Sequence, residues 1–361
     1  MGISHGHHLA AVKTIEQLGV DDGTPRQLCR ARVVALDVLK LVAITAVVFN
    51  HTCTEEVFHA GMQLTRFGNH AFTAVSCYLA FAAGDRSVAG ERGGWMLRRV
   101  TALYGLFLIW NSVGLLARLA GAAHAGQANP FTLDGMLLSG FTLGLWFLPF
   151  IGIANCLAYV VGGHLRGSRT GRRLGVWGGV LGAIALALAM SPGYTQVTFP
   201  VYFFTIALKN IPTTLLTIAL AIFLVRRPEL PSRPAVRASA IAGFLLGAAA
   251  VISFDRNIFL WECLMGIALL VGFMGWRMDR IGRPPALLSI FIFVAHGIFI
   301  QVLRHLVMPA KTAANAESYW LFNLLLFGLT LGGLLALYQL VMRLRLGMLL
   351  LAPQTAADPT L

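Results

Sequence analysis

Apolar stretches close to the length needed to cross a bilayer recur along this whole chain, and that repetition leaves room for only one kind of fold. A hydrocarbon layer about 30 Å thick takes about 20 residues of helix to span. Ten such segments are expected, near residues 34–54, 68–84, 99–119, 143–163, 174–190, 200–225, 238–254, 258–276, 286–303 and 319–342. A helix is the expected form because it satisfies its own backbone polar groups where no water is present. With 57% hydrophobic and 12% charged residues, the composition agrees with an all-α, polytopic membrane bundle.

The basic residues set the expected orientation. The net charge is +13, which in a soluble chain would suggest nucleic acid. Here, however, 22 of the 28 Lys and Arg residues fall in alternate connecting segments, around Arg26, Arg92, Arg169, Arg233, Arg280 and Arg343. The positive-inside rule assigns those segments, and both termini, to the cytoplasm. A nucleic-acid partner is therefore not expected, whereas membrane lipids are.

The first thirty residues are polar and lack the apolar core and small-residue cleavage site of a signal peptide, so the first span is expected to direct its own insertion. Arginine outnumbers lysine, and alanine and glycine are abundant. These features point to a GC-rich bacterial genome and a multi-pass protein of the inner membrane.

Three regions are expected: a tail over 1–31, a membrane domain over 32–346 and a second tail over 347–361. No polar segment is long enough to bury a core of its own. No internal repeat is evident, so an inverted-repeat carrier gains no support. Cys29, Cys53, Cys77, Cys156 and Cys263 stand singly and read as small buried residues without disulfides. His5, His7 and His8 cluster in the N-terminal tail, but three histidines on a polar tail do not make a metal site, and none is expected.

The first apolar segment carries a chemical signal. Lys40 and His51 are eleven positions apart, three helical turns, so they share one face about 16 Å apart along the axis. The expected arrangement is a cation at the membrane surface and an imidazole deep in the bilayer. A histidine held there is a functional candidate, although it could equally hydrogen-bond a neighbouring helix. Imidazole, with an unperturbed pKa of about 6.5, is suited to moving protons near neutrality and can also carry an acyl group. Glu55 follows His51 at i+4 and would orient it if the helix continued. Asp37 precedes Lys40 by three positions and is expected to pair with it.

Other candidates are scattered. Lys209 lies inside the 200–225 segment, followed by Asn210 and Pro212, where a mid-span proline would free a carbonyl and the ammonium could stabilise an oxyanion or snorkel to the surface. Ser76 and Tyr78 share a face that could bind an acceptor hydroxyl or join packed spans. Trp146 could stack on a sugar or belong to an interfacial aromatic belt. Glu262 in the eighth segment needs a partner or a water-filled cavity, and His296 reads as a packing or supporting histidine, with direct catalytic involvement as the alternative.

Several motifs together resemble the acyltransferase 3 family. Asp37-Val38-Leu39-Lys40 followed by His51 looks like its first-helix signature, and Val75-Ser76-Cys77-Tyr78-Leu79 like its Ser-Gly-aromatic motif with cysteine in place of glycine. Met96-Leu97-Arg98-Arg99 is similar to the basic entry to its third span. Leu145-Trp146-Phe147-Leu148 resembles its Trp-Phe-Leu motif, and Ser289 to His296 its late Ser-to-His segment. Ala102 stands where the family commonly has a second arginine.

The resemblance implies a membrane O-acyltransferase of stand-alone type, with no permanently bound cofactor. Acyl-CoA, first of all acetyl-CoA, would be the donor, and a hydroxyl of a surface or exported polysaccharide, or of its lipid-linked precursor, the acceptor. Catalysis is then expected at His51, Glu55 and Lys209, donor binding at Lys40, Arg98 and Arg99, and acceptor binding at Ser76, Tyr78 and Trp146. Arginine forks and lysine charges suit the phosphates of CoA. Polysaccharide-synthesis proteins would be natural partners. Two other readings remain open from the residues alone: a flippase for a lipid-linked sugar, with His51, Lys209 and Glu262 along its path, or a non-catalytic subunit of an export machine.

The charge asymmetry makes the topology testable by single cysteines in a cysteine-free background. Ala123→Cys should react with an impermeant thiol reagent in intact cells, and Arg169→Cys only after permeabilisation. The reverse labelling would invert the orientation.

Overall fold

The computed structural model describes residues 24–53, 55–86, 92–125, 131–142, 144–165, 171–191, 198–199, 201–253, 258–276, 287–307 and 316–344. His5, His7 and His8 lie outside these residues. Among the described residues eleven α-helices follow in chain order: α1 (Thr24–Thr52), α2 (Glu55–Thr65), α3 (Phe67–Arg86), α4 (Arg92–Ala125), α5 (Phe147–Leu165), α6 (Gly171–Met190), α7 (Tyr202–Arg226), α8 (Pro234–Ser253), α9 (Ile258–Met274), α10 (Leu288–Val307) and α11 (Ala316–Arg343). A π-helical turn, Gly135–Ser139, and a 3-10 turn, Leu230–Ser232, are also present. No strand occurs among the described residues.

Each expected apolar segment falls on one helix, with the short α2 added between the first two. Among the described residues six helices are long and apolar enough to cross a membrane: those containing Val34–Thr52, Gly93–Ala123, Phe147–Leu165, Phe203–Arg226, Pro234–Ser253 and Leu321–Arg343. Shorter apolar helices cover Val176–Leu188, Leu260–Met274 and Leu288–Arg304. Their outward faces remain apolar. Val176, Val180 and Ile184 on α6, and Leu321, Leu325 and Leu329 on α11, are exposed at i, i+4 spacing. An exposed stripe of this kind suits acyl chains and not water.

Helix α3 organises the interior because its backbone comes very close to its neighbours. A methyl group at Gly84 would lie 2.1 Å from the Tyr159 carbonyl oxygen, and one at Gly162 of α5 would lie 2.3 Å from that of Phe81. Gly68 sets α3 against α1 in the same way, its added methyl falling 2.6 Å from the Ala43 oxygen. At Gly266 of α9 an added methyl would lie 2.7 Å from the Ala71 nitrogen. In a membrane, where apolar burial does little to join helices, such close approach gains dispersion contacts. At the far end of α3, Arg226 of α7 donates to Asp85 at 2.7 Å and to the Leu165 carbonyl at 3.1 Å, tying α3, α5 and α7 together.

Polar residues inside the bundle are largely satisfied locally. Thr45, Thr73, Thr214, Thr217 and Thr330 each donate to the carbonyl four residues earlier. Helix α7 runs continuously through Pro212, so the proline expected near Lys209 does not interrupt the helix. Surrounding helices hold the axis despite the lost backbone bond. Cys53, Cys77, Cys156 and Cys263 are free thiols.

The glycine contacts should dominate mutational sensitivity. Gly84→Ala forces a methyl into a backbone carbonyl and should destabilise the protein by about 1–3 kcal/mol, the usual range for overpacking. Gly182→Ala, with nothing within 4 Å, should be neutral. Thermal unfolding of both variants in detergent tests the contrast.

Candidate active site

Three sequence motifs, far apart in the chain, meet at one end of the bundle. His51 occupies the last turn of α1. The helix then closes: Thr52 donates to the Val48 carbonyl, and the Cys53 N–H bonds to Phe49. From α10, Arg304 donates to the His51 carbonyl at 3.0 Å, a cation placed at the negative end of a helix. The His51 ring lies over that of His296, with centroids 5.3 Å apart and planes at 24°.

His296 is fully buried on α10. Its Nδ1 is bonded to the Phe293 carbonyl, which can only accept, so that nitrogen carries the proton. Its Nε2 has no hydrogen-bond partner among the described residues. Facing that edge is Gly144, where an added methyl would lie 3.3 Å from Cε1 and 3.5 Å from Nε2. Gly144 has φ +83° and Gly140 φ +80°, both in the left-handed region that favours glycine.

The segment carrying these glycines is anchored by α4. Buried Asn111 donates to the carbonyls of Gly135 (2.8 Å) and Met136 (3.0 Å) and accepts from the Phe141 N–H at 2.6 Å. Tyr104 adds a bond to the Leu137 carbonyl at 2.9 Å. One amide side chain therefore satisfies three backbone groups of an irregular loop, which can then sit against the bundle. The loop leads into Leu145-Trp146-Phe147-Leu148. Phe147 packs on Phe72 and Phe293, and Phe293 on His296. Trp146 is partly buried against Phe147 and Phe150.

The other expected site residues are distributed differently. Lys40 pairs with Asp37 at 3.2 Å as expected, but with side-chain exposures of 14% and 5% the pair lies inside the bundle. His51 is the group at the end of the helix. Glu55 opens α2 after α1 has ended at Thr52, so the two are not on one continuous helical face. The Glu55 side chain lies outside the described residues. Arg98 is exposed and Arg99 partly buried beside Cys156, near the start of α4. They precede Asn111 by thirteen and twelve residues, about 18–20 Å along the helix. Ala102 is buried, leaving no space there for a second arginine. Ser76 is buried and Tyr78 partly buried on α3.

A second polar cluster escaped the sequence reading in part. His70 Nδ1 and the Thr213 hydroxyl are 2.7 Å apart, His70 Nε2 is 3.4 Å from a Glu262 oxygen, and Arg66 is 3.9 Å from the other. Glu262 was expected to need a partner, and His70 supplies it. Lys209 lies one turn before Thr213 on α7, so it belongs with this cluster by position, while the stacked histidines lie on α1 and α10. His70, Asn111 and Arg304 carried one usable signal each: a lone polar side chain in or beside an apolar segment. Among the described residues no group of three or more His, Cys, Asp or Glu is arranged to hold a metal.

Comparison with known families matches residues 33–339 to the family described as Acyltransferase domain, the acyltransferase 3 family. No curated protein and no solved structure matches the chain. The match runs from before Lys40 to beyond Arg304 and so includes every residue of both polar clusters. The chain belongs to the acyltransferase 3 family and is a multi-pass membrane acyltransferase.

Proposed function

We propose that this protein moves an acyl group, acetyl in the first instance, from cytoplasmic acyl-CoA to a hydroxyl of a surface or exported polysaccharide or its lipid-linked precursor, in a bacterial inner membrane. The observation that carries this reading is the His51–His296 stack beneath the Gly144 loop, in a chain of an acyltransferase family. An imidazole is the group acyl transfer needs, since it can remove the alcohol proton or carry the acyl group. His51 is only partly buried, and its ring is the more accessible of the two.

The donor would be held by its phosphates at the basic entry to α4, with Arg98 and Arg99, and Lys40 further in. Guanidinium groups match phosphate oxygens, and the basic connecting segments expected on the cytoplasmic side would attract the anionic donor. The axial separations, about 16 Å from Lys40 to His51 and about 18–20 Å from Arg98 and Arg99 to the Asn111 level, require an extended donor arm. CoA has its thioester at the end of such an arm. The acceptor would approach from the outer face, with Trp146 as a stacking surface and Ser76 and Tyr78 as deeper polar contacts. Lys209 and the His70–Glu262 pair would lie on a separate polar path, and Glu55 would flank the acceptor entrance.

Two outcomes test the assignment. His51→Ala should abolish ester formation on surface glycans at unchanged protein level in the membrane. Normal acylation in that variant removes His51 from the reaction. Replacing both Arg98 and Arg99 with Gln should weaken acetyl-CoA binding by about tenfold or more, charged hydrogen bonds being worth about 1.5–3 kcal/mol before solvent screening of the exposed Arg98. Acceptor affinity should be unchanged, and titration of the purified protein separates the two. Unaltered donor affinity places the phosphate site elsewhere.

A further inference from the structure

Resting on the assignment of His51 to acyl transfer, the geometry points to a division of labour between the stacked rings. We propose that His51 carries the acyl group, and that His296 Nε2 takes the proton of the hydroxyl that displaces it.

Nε2 of His296 is where a general base is wanted. Its tautomer is set by the Phe293 carbonyl, which holds the proton on Nδ1 and leaves the Nε2 lone pair outward. That lone pair is fully buried, and no described residue bonds to it. A purely packing histidine would gain nothing from an unmet acceptor, because a buried polar atom without a partner costs stability. Nor is His51 that partner: the rings lie face to face at 24°, whereas a hydrogen bond to Nε2 must come in the plane of the ring. Gly144 lies against this edge, where an added methyl would fall 3.5 Å from Nε2, so no side chain from that position covers it. A hydroxyl can donate to such a lone pair.

The stacking accounts for the second half of the proposal. The two rings are stacked with centroids 5.3 Å apart and planes at 24°, so their nitrogens belong to one site. An acyl group on a His51 nitrogen and a hydroxyl bonded to His296 Nε2 would be held in that same site, as transfer between them requires. Arg304, bonded to the His51 carbonyl, and Asn111, holding the loop, keep both partners in register.

The steps balance with thioester and alcohol as the only reactants. A His51 nitrogen attacks the thioester carbonyl; the C–N bond forms, the C–S bond breaks, and the thiolate leaves with the proton released from the imidazole. The acceptor oxygen then attacks the acyl carbon; the C–O bond forms and the C–N bond breaks. The hydroxyl proton passes to His296 Nε2 and from there returns to His51, restoring both neutral rings.

Rapid-quench mass measurement of the purified full-length protein, first with acetyl-CoA alone and then with a glycan acceptor, tests the scheme. Wild type should release one CoA per protein without acceptor and hold one acetyl group on the peptide bearing His51. His296→Gln and His296→Asn should form the same adduct but discharge it to the acceptor at least about a hundredfold more slowly, the usual contribution of a positioned base, with unchanged acceptor KM. Discharge at the wild-type rate in either variant overturns the role of His296. Transfer in wild type with no adduct at any time overturns the role of His51 as carrier. Transfer by His51→Ala sinks instead the assignment on which the proposal rests.

Discussion

The backbone approach of α3 to its neighbours is the constraint on which the rest of the molecule depends. Gly84 and Gly162 remove side chains where α3 crosses α5, Gly68 does so against α1, and Gly266 against α9. Because α1 and α9 are held through α3, the ends of these helices have little freedom to shift. The aromatic contacts of Phe72 with Phe147 and Phe293 extend the same register to α5 and α10. The positions of His51 and His296 thus follow from packing established a full helix away.

The two polar clusters illustrate different uses of buried polarity. In the first, the Nε2 lone pair of His296 lacks a partner among the described residues, while Asn111 and Arg304 bind the backbone on either side of the stack. In the second, His70 bridges Thr213 and Glu262, with Arg66 on the exposed side of the carboxylate. A bridged network joins α3, α7 and α9 and limits how they slide. An unmet acceptor is a place for something else to bind. Low dielectric sharpens both effects, since it strengthens the bonds that are made and penalises those that are not.

Between the clusters, the Asn111-anchored loop does what a regular helix could not. Two glycines at positive φ let the backbone turn across a ring edge with no side chain in the way. Backbone groups left over by the irregular path are taken up by Asn111 and Tyr104. The Leu145–Leu148 motif can then enter α5 with Phe147 inward and Trp146 at the margin. Loss of regular structure here is compensated by side chains supplied from α4.

The sequence by itself determined the class of fold, the positions of the helices and the family. Apolar length and charge distribution are local properties of a chain, and a bilayer demands little else of a segment that enters it. Local spacing also led to the Asp37–Lys40 pair, which formed as expected and lies inside the bundle. It misplaced Glu55, because continuity of a helical face presumes that the helix continues, and α1 stops at Thr52. Only the tertiary structure decided that His296 lies on His51, that Gly144 faces its free nitrogen, and that Glu262 meets His70 and not the other histidines. These are contacts between residues up to 245 positions apart. They depend on which helices touch, and that is set by glycine-mediated packing that no single segment encodes.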